Sequence, residues 1–151
     1  MLDSIRDLYQ EVVFDHNRNP RNFRVMPDAN RTIEGFNPLC GDRITLYVRI
    51  GPEGLIDDVS FQGSGCAIST ASASLMTEIV RGQTEQEADA LFELFHCITT
   101  GQDDTVDLES IGKLAVLAGV RAYPARVKCA TLPWHSLQAA LRNTGDTVST
   151  E

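Results

Sequence analysis

The sequence contains no apolar run long enough to cross a membrane. It also lacks, at its start, the basic segment and following apolar run that are typical of a secretory signal peptide. The first absence argues against a helical membrane protein, and the second argues against export through such a leader. We therefore expect a cytoplasmic protein without a membrane partner.

Positive charge is scarce. The chain has 13 Lys and Arg residues against 21 Asp and Glu residues, which gives a formal net charge of −8 at pH 7. A protein that binds the phosphate backbone of nucleic acids needs a basic face, because counterion release supplies much of the binding free energy. The composition therefore argues against a nucleic-acid partner, whereas it is compatible with a basic protein partner.

Cysteine is also sparse, and its spacing lacks the close CxxC pairs of zinc fingers. The four cysteines are Cys40, Cys66, Cys97 and Cys129. Disulfides rarely persist in a reducing compartment, so widely spaced thiols there indicate a metal site or catalysis. The alternative is that they are small, buried apolar residues. Composition alone leaves both interpretations open.

The chain has no internal repeat, low-complexity tract or linker. With 151 residues it is long enough to form a domain that buries a core without disulfide bonds. We predict a single domain over residues 1–151, in which the last residues, 143–151, form a disordered tail.

Alternation of apolar and polar residues predicts a β-hairpin, the clearest local feature of the sequence. Residues 43–50 alternate as a half-buried strand, residues 51–54 have the glycines and proline of a turn, and residues 55–61 supply the return strand. A weaker strand pattern covers residues 31–37. The strands therefore lie in the first half of the chain.

Helical spacing of apolar residues predicts helices before and after these strands. They cover residues 2–16, 67–81, 88–98, 108–117 with Asp107 as cap, and 130–142. Thr84 and Glu87 form a capping-box pattern before the third helix, and Pro133 fits the first turn of the last one. The order of elements predicts an α+β domain, with helices on one face of an antiparallel sheet of about three strands.

Three of the thiols lie at the ends of predicted elements. Cys40 lies in a tight turn before the strand at 43–50, Cys66 where the hairpin meets a helix, and Cys129 where an extended segment enters the last helix. The latter two positions are predicted helix N-termini. Unpaired N–H groups and the helix dipole favour a thiolate there over a thiol.

Glycines and a carboxylate accompany these thiols. Gly41, Gly63 and Gly65 let the backbone approach an ion closely. Asp42 follows Cys40 by two residues, so both side chains can reach one ion. Three thiolates and a carboxylate complete a tetrahedral zinc site, but thiolates also suit iron–sulfur clusters. The ligand types therefore leave the choice of metal open.

The segments 39–42, 63–69 and 127–132, each with one cysteine, resemble the three cysteine motifs of the IscU/NifU family of iron–sulfur cluster assembly proteins. The resemblance includes the N-terminal helix and the loop at 15–22, and it covers nearly the whole chain. It implies the α+β fold of the NifU N-terminal domain and a role in iron–sulfur cluster biogenesis.

Two features differ from the IscU scaffolds of that family. Lys128 stands where those scaffolds carry a histidine, and the stretch between the second and third cysteines has room for an added helical element around residues 95–112. Both features, and the segment 119–126, resemble the SufU branch. SufU-type proteins bind zinc and take persulfide sulfur from a SufS-type cysteine desulfurase.

The resemblance to SufU implies roles for individual residues. Cys40, Asp42, Cys66 and Cys129 would bind zinc, Cys40 would accept sulfur, and Arg126 would be a functional basic residue. It also implies a SufS-type cysteine desulfurase and downstream iron–sulfur assembly proteins as partners.

Two alternatives stay open: a scaffold that builds and hands over a transient 2Fe–2S cluster, and a zinc-stabilised interaction domain whose cysteines do not turn over. Lys128 in place of histidine disfavours the scaffold. We interpret Cys97 as a partly buried thiol beside His96, and Asp57 and Asp58 as an exposed loop pair without chemistry.

Overall fold

The computed structural model describes residues 2–37, 41–100, 114, 117, 120, 124–142 and 148–149. Its helices are α1 (Leu2–Arg18), α2 (Ala67–Val80), α3 (Glu85–Thr100) and α4 (Pro124–Leu141). Its strands are β1 (Arg31–Asn37), β2 (Asp42–Ile50), β3 (Ile56–Ser64) and β4 (Val148–Ser149).

The strands form one sheet in the order β3-β2-β1-β4. β2 pairs antiparallel with both β1 and β3, and β4 joins β1 in parallel through two residues. Ile44, Leu46 and Val48 alternate along β2 and are buried, as the period-2 pattern predicts. The predicted antiparallel sheet is therefore confirmed.

β1 has the weakest sequence pattern of the three antiparallel strands, yet it is fully formed and lies under α4. Gly35 explains how the helix comes so close, because a Cβ at this position would lie only 2.2 Å from Ser136 Oγ and 3.2 Å from Leu132 Cδ1. Close contact with α4 therefore fixes the strand that ends at Asn37.

The helices cover the buried face of the sheet: α2 and α4 contact the strands, α1 packs on α2, and α3 packs on α4. Trp134 of α4 is fully buried, and its ring centroid lies 5.5 Å from that of Phe95. α3 is preceded by the predicted capping box, in which the Thr84 hydroxyl accepts the N–H of Glu87 and the Glu87 carboxylate accepts the N–H of Thr84, each at 3.1 Å. The predicted α+β class is confirmed. None of the described helices combines the length and the apolar character needed to cross a membrane.

Part of the predicted helical layer lies outside the described residues. This holds for Asp107 and for the run 108–117, except that Leu114 and Leu117 are seen buried in the core. It also holds for the element 95–112 beyond Thr100. Within the tail predicted at 143–151, Val148–Ser149 form β4, and the other residues are not described.

α4 differs from its predicted form because it begins at Pro124 rather than at residue 130. Proline suits the first position of a helix, where its missing N–H would have no partner inside the helix. Pro133 consequently lies inside α4, and its predicted place in the first turn is wrong. Cys129 lies in the second turn of the helix and not at its start.

Asp57 and Asp58 lie in β3, so the predicted exposed loop pair is wrong. Asp57 is exposed, whereas Asp58 is half-buried and accepts hydrogen bonds from Arg24 at 2.5 Å and from Arg81 at 2.7 Å. Burial raises the pKa of Asp58, but the two guanidinium groups more than offset this, and the net pKa is lowered. These contacts tie the loop after α1 and the end of α2 to the sheet.

We expect Asp58→Asn to lower the free energy of unfolding by about 1 kcal/mol at neutral pH, because the amide loses two charge-assisted contacts. The carboxylate has a lowered pKa in the folded state, so its stabilisation is lost as the pH falls through that pKa. Urea denaturation at neutral pH and below about pH 3 measures both effects. Asp57→Asn is the matched control, with an expected change within about 0.5 kcal/mol. Equal destabilisation by the two substitutions would contradict the assignment.

Candidate functional site

Among the described residues, Asp42, Cys66 and Cys129 form a group with the donors and spacing of a metal site. One donor atom from each side chain lies within 4.8 Å of the other two. Cys40 lies outside the described residues, two positions before Asp42 in the chain. Three of the four predicted ligands therefore meet at one place, and Cys40 as the fourth stays a prediction.

Asp42 is the first residue of β2 and is fully buried. Its Oδ1 accepts the backbone N–H of Cys66 at 2.7 Å, and its Oδ2 lies 3.6 Å from Cys66 Sγ. Gly65 makes this approach possible, since a Cβ there would lie 2.4 Å from Asp42 Oδ1. The glycine that precedes Cys66 is thus needed for the carboxylate to reach the thiol.

Cys66 caps the N-terminus of α2, as the sequence predicted. Its Sγ accepts the N–H of Ser69 at 3.5 Å. The pKa of Cys66 is lowered to about 7, chiefly by a hydrogen bond from Cys129. Burial of the thiol opposes this shift. The N–H of Ser69 lowers the pKa further, and the charge of Asp42 raises it. Much of this thiol is therefore thiolate at neutral pH, which is the form that binds metals.

Cys129 is held differently from the prediction. It lies in the second turn of α4, only 1% exposed, and its Sγ contacts the carbonyl of Ala125 one turn earlier at 3.6 Å. The influence of a helix N-terminus falls off within the first turn. The predicted stabilisation of Cys129 by the start of the last helix is therefore wrong.

Asn37, the last residue of β1, is a site residue that the sequence interpretation missed. It is fully buried, and its Nδ2 donates to Cys129 Sγ at 3.7 Å. One signal was present in the sequence, because the alternation of Ile33 and Gly35 places Asn37 on the buried face of β1. A polar side chain on a buried face needs a partner.

A cavity of about 680 Å³ between α1, α2 and α4 reaches the two thiols, Cys66 and Cys129. Phe14 and Ile68 give part of its lining an apolar character, and Arg126 contributes a cation. Phe14 is 61% exposed, which is unusual for a large apolar side chain. The cavity thus offers a route to the thiols from outside the protein.

The donor set fits a thiophilic metal. In tetrahedral zinc sites, bonds of about 2.0–2.3 Å place the ligand atoms roughly 3.8 Å or less from one another. The separations of up to 4.8 Å between the donors of Asp42, Cys66 and Cys129 need only a small closure to reach that range. The same thiols also suit an iron–sulfur cluster, so geometry does not select the metal.

Residues 8–130 match the sequence profile of the family described as the NifU-like N-terminal domain. The chain belongs to this family. Recognition of the family from the cysteine motifs is confirmed, and with it a place among proteins of iron–sulfur cluster assembly.

Relatives of this NifU-like domain carry two kinds of name. The zinc-dependent sulfurtransferase SufU of Bacillus subtilis is 41% identical over 133 residues, covering 87% of each chain. The iron–sulfur cluster assembly scaffold protein IscU of Streptococcus pyogenes is 39% identical over 145 residues, covering 96% of this chain and 89% of the relative. A SUF-system assembly scaffold from Fervidobacterium islandicum has the same fold, with a TM-score of 0.82 at 36% identity over 89% of this chain and 96% of that structure.

The remaining predicted residues of the NifU-like domain lie at different distances from the donor group. Arg126 is exposed on α4, one turn before Cys129, and lines the cavity. Lys128 is half-buried on the same helix. Cys97 is half-buried on α3, as interpreted, next to His96, and neither belongs to the donor group.

Proposed function

We propose that this NifU-like domain is a zinc-dependent sulfur acceptor that takes persulfide sulfur from a SufS-type cysteine desulfurase. The observation that carries the proposal is the convergence of Asp42, Cys66 and Cys129 beside the segment that bears Cys40. The similarity to the Bacillus subtilis SufU supports it. So does Lys128, at the position where IscU scaffolds carry a histidine.

In this proposal zinc is held by Asp42, Cys66, Cys129 and Cys40. When bound, zinc keeps its cysteine ligands as thiolates and takes no part in electron transfer. The chain itself fixes three of the four. Cys66 is the cap of α2, and Asp42 accepts its N–H. Cys129 is fixed inside α4. These three side chains therefore serve as the stationary ligands.

Cys40 differs from these three, because the sequence predicts that it lies in a turn. The residues on either side of segment 38–40 are joined by a hydrogen bond from the Gly41 N–H to the Asn37 carbonyl, at 2.9 Å. Gly41 has a φ of +72°, a left-handed conformation that glycine adopts without strain. A ligand in such a predicted turn would leave the metal without unfolding a helix or strand. This makes Cys40 the exchangeable ligand and the sulfur acceptor.

The transfer step is a thiol–persulfide exchange. The Cys40 thiolate attacks the outer sulfur of the desulfurase persulfide, so that a new S–S bond forms on Cys40 while the donor's S–S bond breaks. The donor cysteine leaves as a thiolate with the electron pair of the broken bond. The sulfur atom moves with no net oxidation or reduction, and no further reagent is needed. Downstream iron–sulfur assembly proteins would then receive the sulfur.

Arg126 is the residue we assign to the incoming anion. It is exposed, and it lines the cavity that leads to Cys66 and Cys129. A guanidinium at this place can pair with a persulfide anion or with a carboxylate of the partner. Its proposed role is to orient the persulfide of the desulfurase. An anion of this kind needs a cation nearby, which the otherwise acidic protein supplies at Arg126.

We expect the purified protein to be colourless and to hold about one zinc per chain, as a closed tetrahedral site would. We also expect it to raise the turnover of a SufS-type desulfurase severalfold, because it removes the enzyme-bound persulfide. Elemental analysis measures the first outcome, and alanine formation from cysteine measures the second. A zinc-loaded protein that leaves the desulfurase rate unchanged would instead support the zinc-stabilised interaction domain.

A second candidate function is a scaffold for a transient 2Fe–2S cluster. The name of the Streptococcus pyogenes relative and the thiol-rich donor group favour it. In that case anaerobic reconstitution with iron and sulfide would give a brown protein that passes its cluster to an apoprotein. The desulfurase assay, run on the protein with and without zinc, separates the two functions, since only the proposed sulfur acceptor depends on zinc.

A further inference from the structure

Asn37 occupies an unusual position between two parts of the site. It is fully buried at the end of β1, where it pairs with Asp42 in the ladder between β1 and β2. Its side-chain Nδ2 donates to Cys129 Sγ at 3.7 Å, and its backbone carbonyl accepts the N–H of Gly41 at 2.9 Å. One residue therefore contacts a thiol on α4 and also bonds to Gly41, which follows Cys40 in the chain.

The two thiols of the donor group obtain their N–H donors in different ways. Cys66 receives the N–H of Ser69 because it caps α2. Cys129 lies in the second turn of α4, where the backbone N–H groups are used within the helix. A buried sulfur that is to serve as a metal ligand needs a hydrogen-bond donor. For Cys129 the side chain of Asn37 supplies one.

We propose that Asn37 is a positioning residue of the metal site, which orients the Cys129 sulfur for the metal. The inference rests on the part of the proposed function that gives this site a metal. It does not depend on whether sulfur or a cluster is the cargo.

The sheet makes this position rigid. β1 is held by the full register of its pairing with β2 and by the close approach of α4 at Gly35. Ser136 and Leu132 of α4 make that approach on the same helix that carries Cys129. The distance between Asn37 and Cys129 is thus fixed by strand and helix packing rather than by a loop, which is what a precise ligand geometry requires.

Asn37→Asp tests the inference, because the carboxylate has nearly the same shape but replaces an N–H donor with an acceptor against the sulfur. We expect zinc affinity, measured by competition with a chromophoric chelator, to fall by about 10- to 100-fold, the usual effect of losing such a partner. In the cobalt-substituted protein we expect the thiolate-to-cobalt absorption band to shift. A merely structural role would lower the melting temperature of the metal-free protein without moving that band.

Asn30→Asp is the matched control. Asn30 is exposed and lies just before β1, at the end away from the donor group, where its side chain bonds to both the carbonyl and the N–H of Ile50 in β2. It should leave zinc affinity and the cobalt spectrum unchanged. If Asn37→Asp fails to fold, Asn37→Ala removes the donor without burying a charge and is expected to weaken zinc binding at least tenfold.

A folded Asn37 variant that binds zinc within about twofold of the original chain would overturn the inference, given the size of effect expected for a true partner. That result would leave the proposed function standing. An original chain that binds no zinc would overturn the proposed function, and this inference with it. The two failures are therefore distinguished by the unsubstituted protein.

Discussion

Cys40→Ser is expected to abolish the uptake of sulfur from a cysteine desulfurase while leaving the fold of the protein intact. A hydroxyl cannot form the persulfide, and the substitution falls outside the described helices and strands, between Asn37 and Gly41, which are joined by a hydrogen bond. The three fixed side chains, Asp42, Cys66 and Cys129, lie on other elements and do not depend on it. Mass spectrometry after incubation with desulfurase and cysteine locates the peptide that gains one sulfur atom.

Cys97→Ser is the matched control for this experiment. Cys97 is half-buried on α3 and does not belong to the donor group, so its loss should leave sulfur uptake at the level of the original chain. Circular dichroism and thermal melting verify that both variants are folded. A persulfide found reproducibly on Cys97, with Cys40 unmodified, would refute the assignment of the acceptor.

The parts of the fold that local signals determine were predictable. The hairpin follows from period-2 alternation, and the Thr84–Glu87 capping box places the start of α3 within one residue. β1 was a weaker prediction because its stability comes from a contact distant in sequence. The packing of Ser136 onto Gly35 shows why this short strand is held against α4, the helix that carries Cys129. A contact between residues so far apart in the chain cannot be predicted from the sequence pattern of β1.

The start of α4 was mispredicted for a physical reason. Pro124 and the β-branched Val127 favour an extended segment by their local preferences. Proline is nevertheless well suited to the first position of a helix, and burial of α4 from Cys129 onward against β1 and α2 outweighs the preference of Val127. The consequence for the site is that Cys129 sits in a helix turn, where Asn37 rather than the helix start donates to it.

The sequence predicted the ligands of the candidate site better than it predicted the residues and the cavity around them. Cys66 could be placed at a helix start because glycines and a strand precede it, and the structure agrees. The structure shows why residue 65 must be glycine: a Cβ on residue 65 would lie only 2.4 Å from Asp42 Oδ1. The cavity beside Phe14 depends on how α1 packs on α2. The spacing of residues within one helix does not predict how two helices pack together.

Removal of zinc is expected to lower the melting temperature markedly without unfolding the protein completely. A ligand that binds only the folded state stabilises it by about 4 kcal/mol when its free concentration is roughly 1,000 times its dissociation constant. The chain should stay folded after this loss, because the core is built mostly of aliphatic and aromatic side chains that do not bind metal, with Cys129 as the one donor among its buried residues. Calorimetry before and after chelation, with zinc content verified, measures the difference.

Acidification, like removal of zinc, should lower the melting temperature. Because the pKa of Cys66 is lowered to about 7 in the fold, its thiolate stabilises the protein fully only at pH values above the ordinary cysteine pKa, and this contribution is lost as the pH falls through about 7. Protonation of the thiols also releases zinc, so the effect of chelation on the melting temperature should shrink toward acidic pH.

Cys129→Ser, which removes a buried ligand, should make the melting temperature insensitive to chelation, whereas Cys97→Ser should preserve the full response. An unchanged melting curve of the original chain after verified zinc removal would contradict a metal bound by Asp42, Cys66 and Cys129.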